Sequence, residues 1–129
     1  MTKYLLDSFA WIEYFEGSDQ GEKVEKIILN PDNEVLTCAA MVAEVVSKAK
    51  RSKKDDDLAF MAMETLSKIV EIDAELAKLA GSIHAAMKKK FKDFGMMDAL
   101  LLAAAQQTSA KIVTGDSHFR NMDNVEFLE

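Results

Sequence analysis

The sequence predicts an α/β fold in which a parallel sheet is covered by helices on both faces. Three observations predict it. Short apolar runs of strand length alternate with longer segments of helical period, polar capping residues separate the two, and a single proline, Pro31, with no Gly/Ser-rich linker or repeat interrupts the 129 residues. A chain of this length buries most of the surface that its unfolded form exposes, so one domain over residues 1–129 is expected without disulfides or a structural metal.

The elements follow in order. Tyr4 to Leu6 is an apolar run closed by Asp7, the pattern of a strand buried on both faces, after which Trp11, Ile12 and Phe15 fall at helical spacing. Ser18 caps a second helix with Val24, Ile27 and Ile28 on one face, and Asn30-Pro31-Asp32-Asn33 ends it. Val35 to Cys38 is the next strand. Met41, Val42, Val45, Val46 and Ala49 line one side of a helix running toward Arg51, and another begins near Asp55 with Leu58, Met61 and Leu66. Ile69 to Ile72 reads as a strand, and Asp73 caps a long helix with Leu76, Leu79, Ala80, Ile83 and Met87 inward. After a basic run at Lys88 to Lys90, Gly95-Met96-Met97-Asp98 opens a helix that is apolar on nearly every side; Lys111 to Thr114 and Val125 to Leu128 are the last strands.

Composition narrows the function classes. Asp and Glu number 22 against 16 Lys and Arg, a formal charge of −6, and 49% hydrophobic with 29% charged residues is the profile of a globular chain rather than a disordered one. A single cysteine excludes an internal disulfide, and one cysteine with two histidines is too few for a four-ligand structural zinc site. A cytoplasmic location is the expectation from this cysteine usage. No apolar run approaches the roughly 18 residues of a spanning helix, and Met1 to Asp7 is too briefly apolar for a secretory signal, so no membrane is involved. Gly17, Gly21, Gly81, Gly95 and Gly115 lack the close spacing of a phosphate-cradling loop, which excludes P-loop chemistry.

Four acids stand at special places. In open α/β sheets ligands bind beyond the carboxyl ends of the strands, where Asp7 and Asp116 directly follow apolar runs. Each can equally cap the element that follows. Asp98 lies in the first turn of a helix with no polar face until Gln106, so its carboxylate is expected to be buried, as a helix cap or as part of a site. Glu44 lies just outside the apolar stripe of its helix, on the side of Lys48 and Arg51, and an exposed pair with Lys48 would account for it as well. If the four converge, two unit charges about 4 Å apart cost roughly 4 kcal/mol at an effective dielectric near 20. A hard divalent cation removes that conflict, and an all-oxygen set favours Mg²⁺ or Mn²⁺, ions suited to phosphoryl chemistry.

Tyr4-Leu5-Leu6-Asp7-Ser8, the helix-borne Glu44, Gly95-Met96-Met97-Asp98-Ala99-Leu100 and Val113-Thr114-Gly115-Asp116-Ser117-His118-Phe119 together resemble the PIN-domain ribonucleases, closest to VapC-type toxins, over nearly the whole chain. The resemblance implies a three-layer α/β/α sandwich around a parallel sheet of four or five strands. It also implies a Mg²⁺- or Mn²⁺-dependent endoribonuclease that cleaves RNA phosphodiesters by a metal-activated water, the toxin of a type II toxin-antitoxin pair. Asp7, Glu44, Asp98 and Asp116 would surround the ion, with Thr114 as a nearby hydroxyl. A small antitoxin bound across the site and a homodimer are implied in the same way. One departure stands out: many relatives carry a small polar residue two positions after the first Asp, where this chain has Phe9, leaving Ser8 as the neighbouring hydroxyl.

Other residues fit several roles. Lys48, Arg51, His118 and Arg120 are candidates for RNA contact because they neighbour the acids, while Lys88 to Lys92 equally suit a solvated helix end. Asp55-Asp56-Asp57 are first-turn acids favoured by the helix dipole and are assigned no site. His84 and Cys38 read as structural; the eight methionines, Trp11 and Phe15 suit either a core or an association surface. Three alternatives remain: an RNA-processing nuclease that is not a toxin, a non-catalytic scaffold of the same fold that binds RNA or protein, and a phosphoryl-transfer domain. Phe9 occupies the position where a haloacid-dehalogenase-type phosphatase needs a second Asp.

Overall fold

The computed structural model describes residues 1–129. The chain runs β1 (Thr2–Leu6), α1 (Ser8–Glu16), α2 (Asp19–Leu29), β2 (Asn33–Cys38), α3 (Ala39–Arg51), α4 (Asp56–Leu66), β3 (Lys68–Val70), α5 (Ala74–Met87), α6 (Met96–Thr108), β4 (Lys111–Thr114), a 3₁₀ turn (Ser117–Phe119) and β5 (Val125–Phe127). All strand pairs are parallel, in the order β3-β2-β1-β4-β5. The predicted α/β/α sandwich therefore has five strands.

Local chemistry starts and stops the helices where the punctuation predicts. Asp7, Ser18, Asp55 and Asp73 each turn a side-chain oxygen onto the amide three residues ahead, supplying one of the acceptors that a helix start lacks. Alternation along the strands then sorts the layers. Leu5, Leu36 and Ile112 pack with Leu76, Ala80, Ala99 and Ala103 on one face, whereas Leu6, Val35 and Val113 pack with Trp11, Val24, Ala59 and Met63 on the other. Helix α3 straddles the sheet margin, giving Ala40 and Met41 to the first layer and Val45 to the second.

Topology positions the site. From β1 the chain moves outward to β2 and β3, then returns through α5 and α6 to β4 on the opposite side of β1. The strand order therefore reverses between β1 and β4, and the crevice outside their carboxyl ends is where ligands of such sheets bind. The ladder closes at that point with the Asp7 amide donating to the Val113 carbonyl at 3.1 Å.

Two expectations are corrected. Helix α4 buries Ala59 and Met63, with Leu66 half-buried, while Leu58 and Met61 are each 60% exposed. A helix with apolar residues on two sides does not reveal from its period which side meets the sheet. Strand β3 ends at Val70 rather than Ile72, because Asp73 caps α5 and leaves Glu71 and Ile72 exposed in the connection. The methionines also divide: Met41 and Met63 are core, whereas Met61, Met96 and Met97 are exposed.

A buried polar chain fastens the α1 and α4 layer to β2. Trp11 Nε1 donates to Thr37 Oγ1 at 3.0 Å, Thr37 Oγ1 lies 2.7 Å from Ser67 Oγ, and Ser67 Oγ donates to the Met63 carbonyl at 2.6 Å. Ser67 uses its only proton on that carbonyl, so Thr37 is the donor to Ser67. Thr37→Val keeps the shape but leaves the Trp11 N–H unpaired in the core, and a loss of about 1–3 kcal/mol is expected in urea unfolding. An unchanged midpoint would show that the chain contributes no stability.

Candidate active site

Asp7 and Asp116 stand on either side of the reversal point. Asp7 is 6% exposed; it caps α1, its Oδ1 accepting from the Ala10 amide at 2.8 Å, and the Thr114 hydroxyl favours its charged form. Asp116 caps the 3₁₀ turn, with Oδ1 accepting from the His118 amide at 2.9 Å, and its own amide donates to Thr114 Oγ1 at 3.0 Å. The fully buried Thr114 hydroxyl thus accepts from the Asp116 amide and favours the charged form of Asp7, so one side chain acts on both acids. For these two acids, capping and site placement turn out to be compatible.

Asp98 enters from the opposite helical layer. It is the third residue of α6, not its cap, and its Oδ2 reaches back to the Gly95 amide at 3.3 Å. Half-buried Glu44 sits in the second turn of α3 and takes part in none of the chain's ion pairs, so the expected pair with Lys48 is not formed. Helical rotation separates them: Glu44 shares a cleft of about 300 Å³ with Ala43, Ser47, Arg51 and Met97, while Lys48 lines a groove on the other side of α3. Arg51, with its Nε donating to Ser47 Oγ at 3.3 Å, is the cation beside Glu44. Arg120 is drawn away, paired with Glu129 at 2.8 Å and lying over the Phe127 ring at 4.3 Å.

The electrostatics carry the mark of crowded acids. Burial raises the Asp7 carboxyl from 3.8 to about 7; the Thr114 and Ala10 hydrogen bonds oppose the rise, and the charges of Asp116 and Glu44 add to it. Asp98 is also raised, chiefly by burial, opposed by the Gly95 amide and reinforced by Asp116. One ligand atom each from Asp98, Asp116 and His118 lies within 4.8 Å of the others. That group leaves out Asp7 and Glu44, which act on it only through charge; two carboxylates and an imidazole in that span are a donor set that fits a divalent cation.

Two features have no signal in the sequence. His118 is bonded on both ring nitrogens, Nδ1 to Asp116 and Nε2 to Asp93, each at 3.0 Å. Asp93 follows a lysine run and nothing local distinguishes it. Phe9 lies over Gly115, where a side-chain carbon added to the glycine would fall 2.4 Å from the ring's Cε1. The Asp7 carboxylate accepts from the Ala10 amide, not from Ser8.

Away from the acids, α1, α3 and α4 enclose an open groove of about 440 Å³. Ile12, Phe15, Val45, Ala49 and Leu58 form its apolar lining, and Lys48 and Lys54 with Glu16 and Asp55 its charged rim. Leu58, misassigned to the core by its period, is part of this surface.

Residues 4–125 match the family model of the PIN domain. Among solved structures, the chain is similar to VapBC2 from Rickettsia felis bound to a DNA fragment from their promoter, with a TM-score of 0.78, 18% identity, and 99% of this chain and 100% of that one covered. It is also similar to a toxin-antitoxin complex from Klebsiella pneumoniae, with a TM-score of 0.75, 21% identity and 98% of each chain covered. A third similar structure is Mycobacterium tuberculosis VapC20, a sarcin-ricin loop cleaving toxin, with a TM-score of 0.75, 15% identity, and 98% and 99% covered. No curated protein matches the chain in sequence. With the reversal-point acids and a family match spanning nearly its full length, the chain belongs to the PIN-domain family.

Proposed function

We propose that this protein is a divalent-cation-dependent endoribonuclease and the toxin of a type II toxin-antitoxin pair, acting in the cytoplasm. The observation that carries the reading is Asp7: a carboxyl pushed to about 7 by burial, beside Asp116 and Glu44, at the one place in the sheet where strand order reverses. Asp7, Asp98 and Asp116 would hold the cation, and Glu44 would complete the set or orient the attacking water. Mg²⁺ or Mn²⁺ bound there supplies charge to polarise a phosphoryl oxygen and to lower the pKa of a water.

The chain's own groups do the rest. Thr114 holds the Asp116 backbone through its hydroxyl, and the first turn of α6 presents Asp98 from the facing layer. Arg51, sharing the Glu44 cleft, supplies a phosphate contact at the edge of the acids, an arrangement that holds a backbone in line for displacement. Purified protein is expected to cut RNA with Mn²⁺ or Mg²⁺ and to stop on addition of EDTA. RNA bound but left intact with both ions would replace this reading with the non-catalytic scaffold.

The partner readings rest on the similar structures, two of which are described as a toxin-antitoxin complex and as VapBC2. The open apolar groove between α1, α3 and α4 suits a partner's amphipathic segment, with Lys48 and Lys54 at its rim for acidic side chains. A homodimer completes the proposal. No helix is long and apolar enough to cross a membrane.

A further inference from the structure

The geometry points to His118 Nδ1 as a nitrogen ligand of the cation, joining Asp98 and Asp116, with Asp93 as the carboxylate that orients its ring. The assignment rests on the reading that a divalent cation occupies the acid site.

The ring is held in place from three directions. Nε2 lies 3.0 Å from Asp93 Oδ1, Nδ1 lies 3.0 Å from Asp116 Oδ1, and the plane is wedged edge-on between Phe91 at 5.4 Å and the fully buried Phe94 at 5.8 Å. The His118 side chain is only 19% exposed, whereas that of Asp93 is 80% exposed. The two nitrogens therefore face different surroundings: Nε2 points toward solvent and a carboxylate, and Nδ1 toward the acid pocket. Histidines that ligate metals commonly donate the distal N–H to a carboxylate, which fixes the tautomer and aims the other nitrogen's lone pair at the ion. Asp93 and His118 have that relation to the pocket.

Spacing agrees with chemistry. An octahedral ion with bonds of about 2.1 Å holds neighbouring ligand atoms about 3.0 Å apart and opposite ones about 4.2 Å apart. The His118 Nδ1 to Asp116 Oδ1 separation is 3.0 Å, and the three ligand atoms, with Asp98, lie within 4.8 Å. The three groups are thus close enough to share one cation once the Nδ1 to Asp116 hydrogen bond gives way. Both ring nitrogens face carboxylate oxygens, which only accept, so Nδ1 carries a proton here; to serve as a ligand it would release that proton to solvent, with Nε2–H staying on Asp93. A nitrogen in an otherwise oxygen set favours Mn²⁺ over Mg²⁺.

Pulsed electron paramagnetic resonance of the protein loaded with Mn²⁺ tests this. Nitrogen modulation from one directly bound imidazole is expected in the unaltered protein, changing in character when histidine is ¹⁵N-labelled, and absent in His118→Asn. The same substitution should weaken Mn²⁺ binding, read by calorimetry, at least about tenfold while changing Mg²⁺ binding less. Asp93→Asn should keep the modulation and weaken Mn²⁺ about tenfold. Stoichiometric Mn²⁺ with no nitrogen modulation in the unaltered protein overturns the His118 assignment alone. No Mn²⁺ binding overturns both the assignment and the cation site beneath it.

Discussion

Asp7→Asn is expected to abolish RNA cleavage and, in the metal-free protein above pH 7, to make the fold more stable. Loss of cleavage follows from removing the most buried of the proposed cation ligands. Substitutions of groups that merely support a ligand cost about 10–100-fold, and a direct ligand should exceed that. Stabilisation follows from linkage. An unfolded chain releases the Asp7 proton near 3.8, whereas the folded protein retains it up to about 7. Between those values the native state binds the extra proton, so the stability associated with Asp7 is complete below about pH 4, declines as pH rises, and is lost above about 7. The gap corresponds to roughly 4 kcal/mol without relaxation, and water penetration reduces it to a few.

Asn keeps the helix-capping bond from the Ala10 amide through its carbonyl oxygen, with no charge to desolvate. Urea unfolding in EDTA at pH 5 and pH 8 separates the two proteins: the variant's advantage should be about 1.6 kcal/mol at most at pH 5 and more than twice as large at pH 8. Saturating Mn²⁺ should then restore stability to the unaltered protein and stabilise Asp7→Asn less, because the variant's remaining ligands hold the ion more weakly. A variant less stable than its parent at pH 8 in EDTA would show that Asp7 is not strained by burial, and the electrostatic case for a cation would fall with it.

Much of this arrangement is legible in the sequence because it is local. Asp7 and Asp116 each follow an apolar strand, and in a parallel sheet that alone aims them at the carboxyl edge. Asp98 is conspicuous as the one charge in the apolar opening of α6. Less is legible where the outcome depends on what lies across a gap between elements. Glu44 and Lys48 are one helical turn apart and look like partners, yet the margin position of α3 turns Glu44 toward Met97 and Lys48 toward α1 and α4. Leu58 reads as core by period, but α4 already buries Ala59 and Met63 and has no second sheet face to fill. Asp93 becomes meaningful only because the connection from α5 to α6 passes beside the 3₁₀ turn bearing His118, 25 residues later. Such placements are set by tertiary packing, which periodicity does not encode.

Phe9 shows the same limit in a form that mutagenesis can expose. This chain places the Phe9 ring in the first turn of α1, directly over the glycine that joins β4 to Asp116. Gly115 does not have a positive φ, so alanine is acceptable to its backbone, and the obstacle is the ring alone. A methyl group there would lie 2.4 Å from Cε1 and 2.9 Å from Cδ1 and Cζ. Phe9 is half-buried against the Trp11 and Val113 cluster, so the ring has little freedom to swing aside and the strain passes to the turn that carries Asp116. Gly115→Ala is therefore expected to cost about 1–3 kcal/mol in stability and to reduce Mn²⁺ affinity and cleavage about tenfold or more. Removing the ring as well should reverse the functional part: the double variant Phe9→Ala with Gly115→Ala should cut RNA better than Gly115→Ala alone, with a coupling of about 1 kcal/mol or more in a double-mutant cycle. If Gly115→Ala is equally harmful with and without the ring, the cycle closes near zero, and Phe9 has no part in holding Asp116.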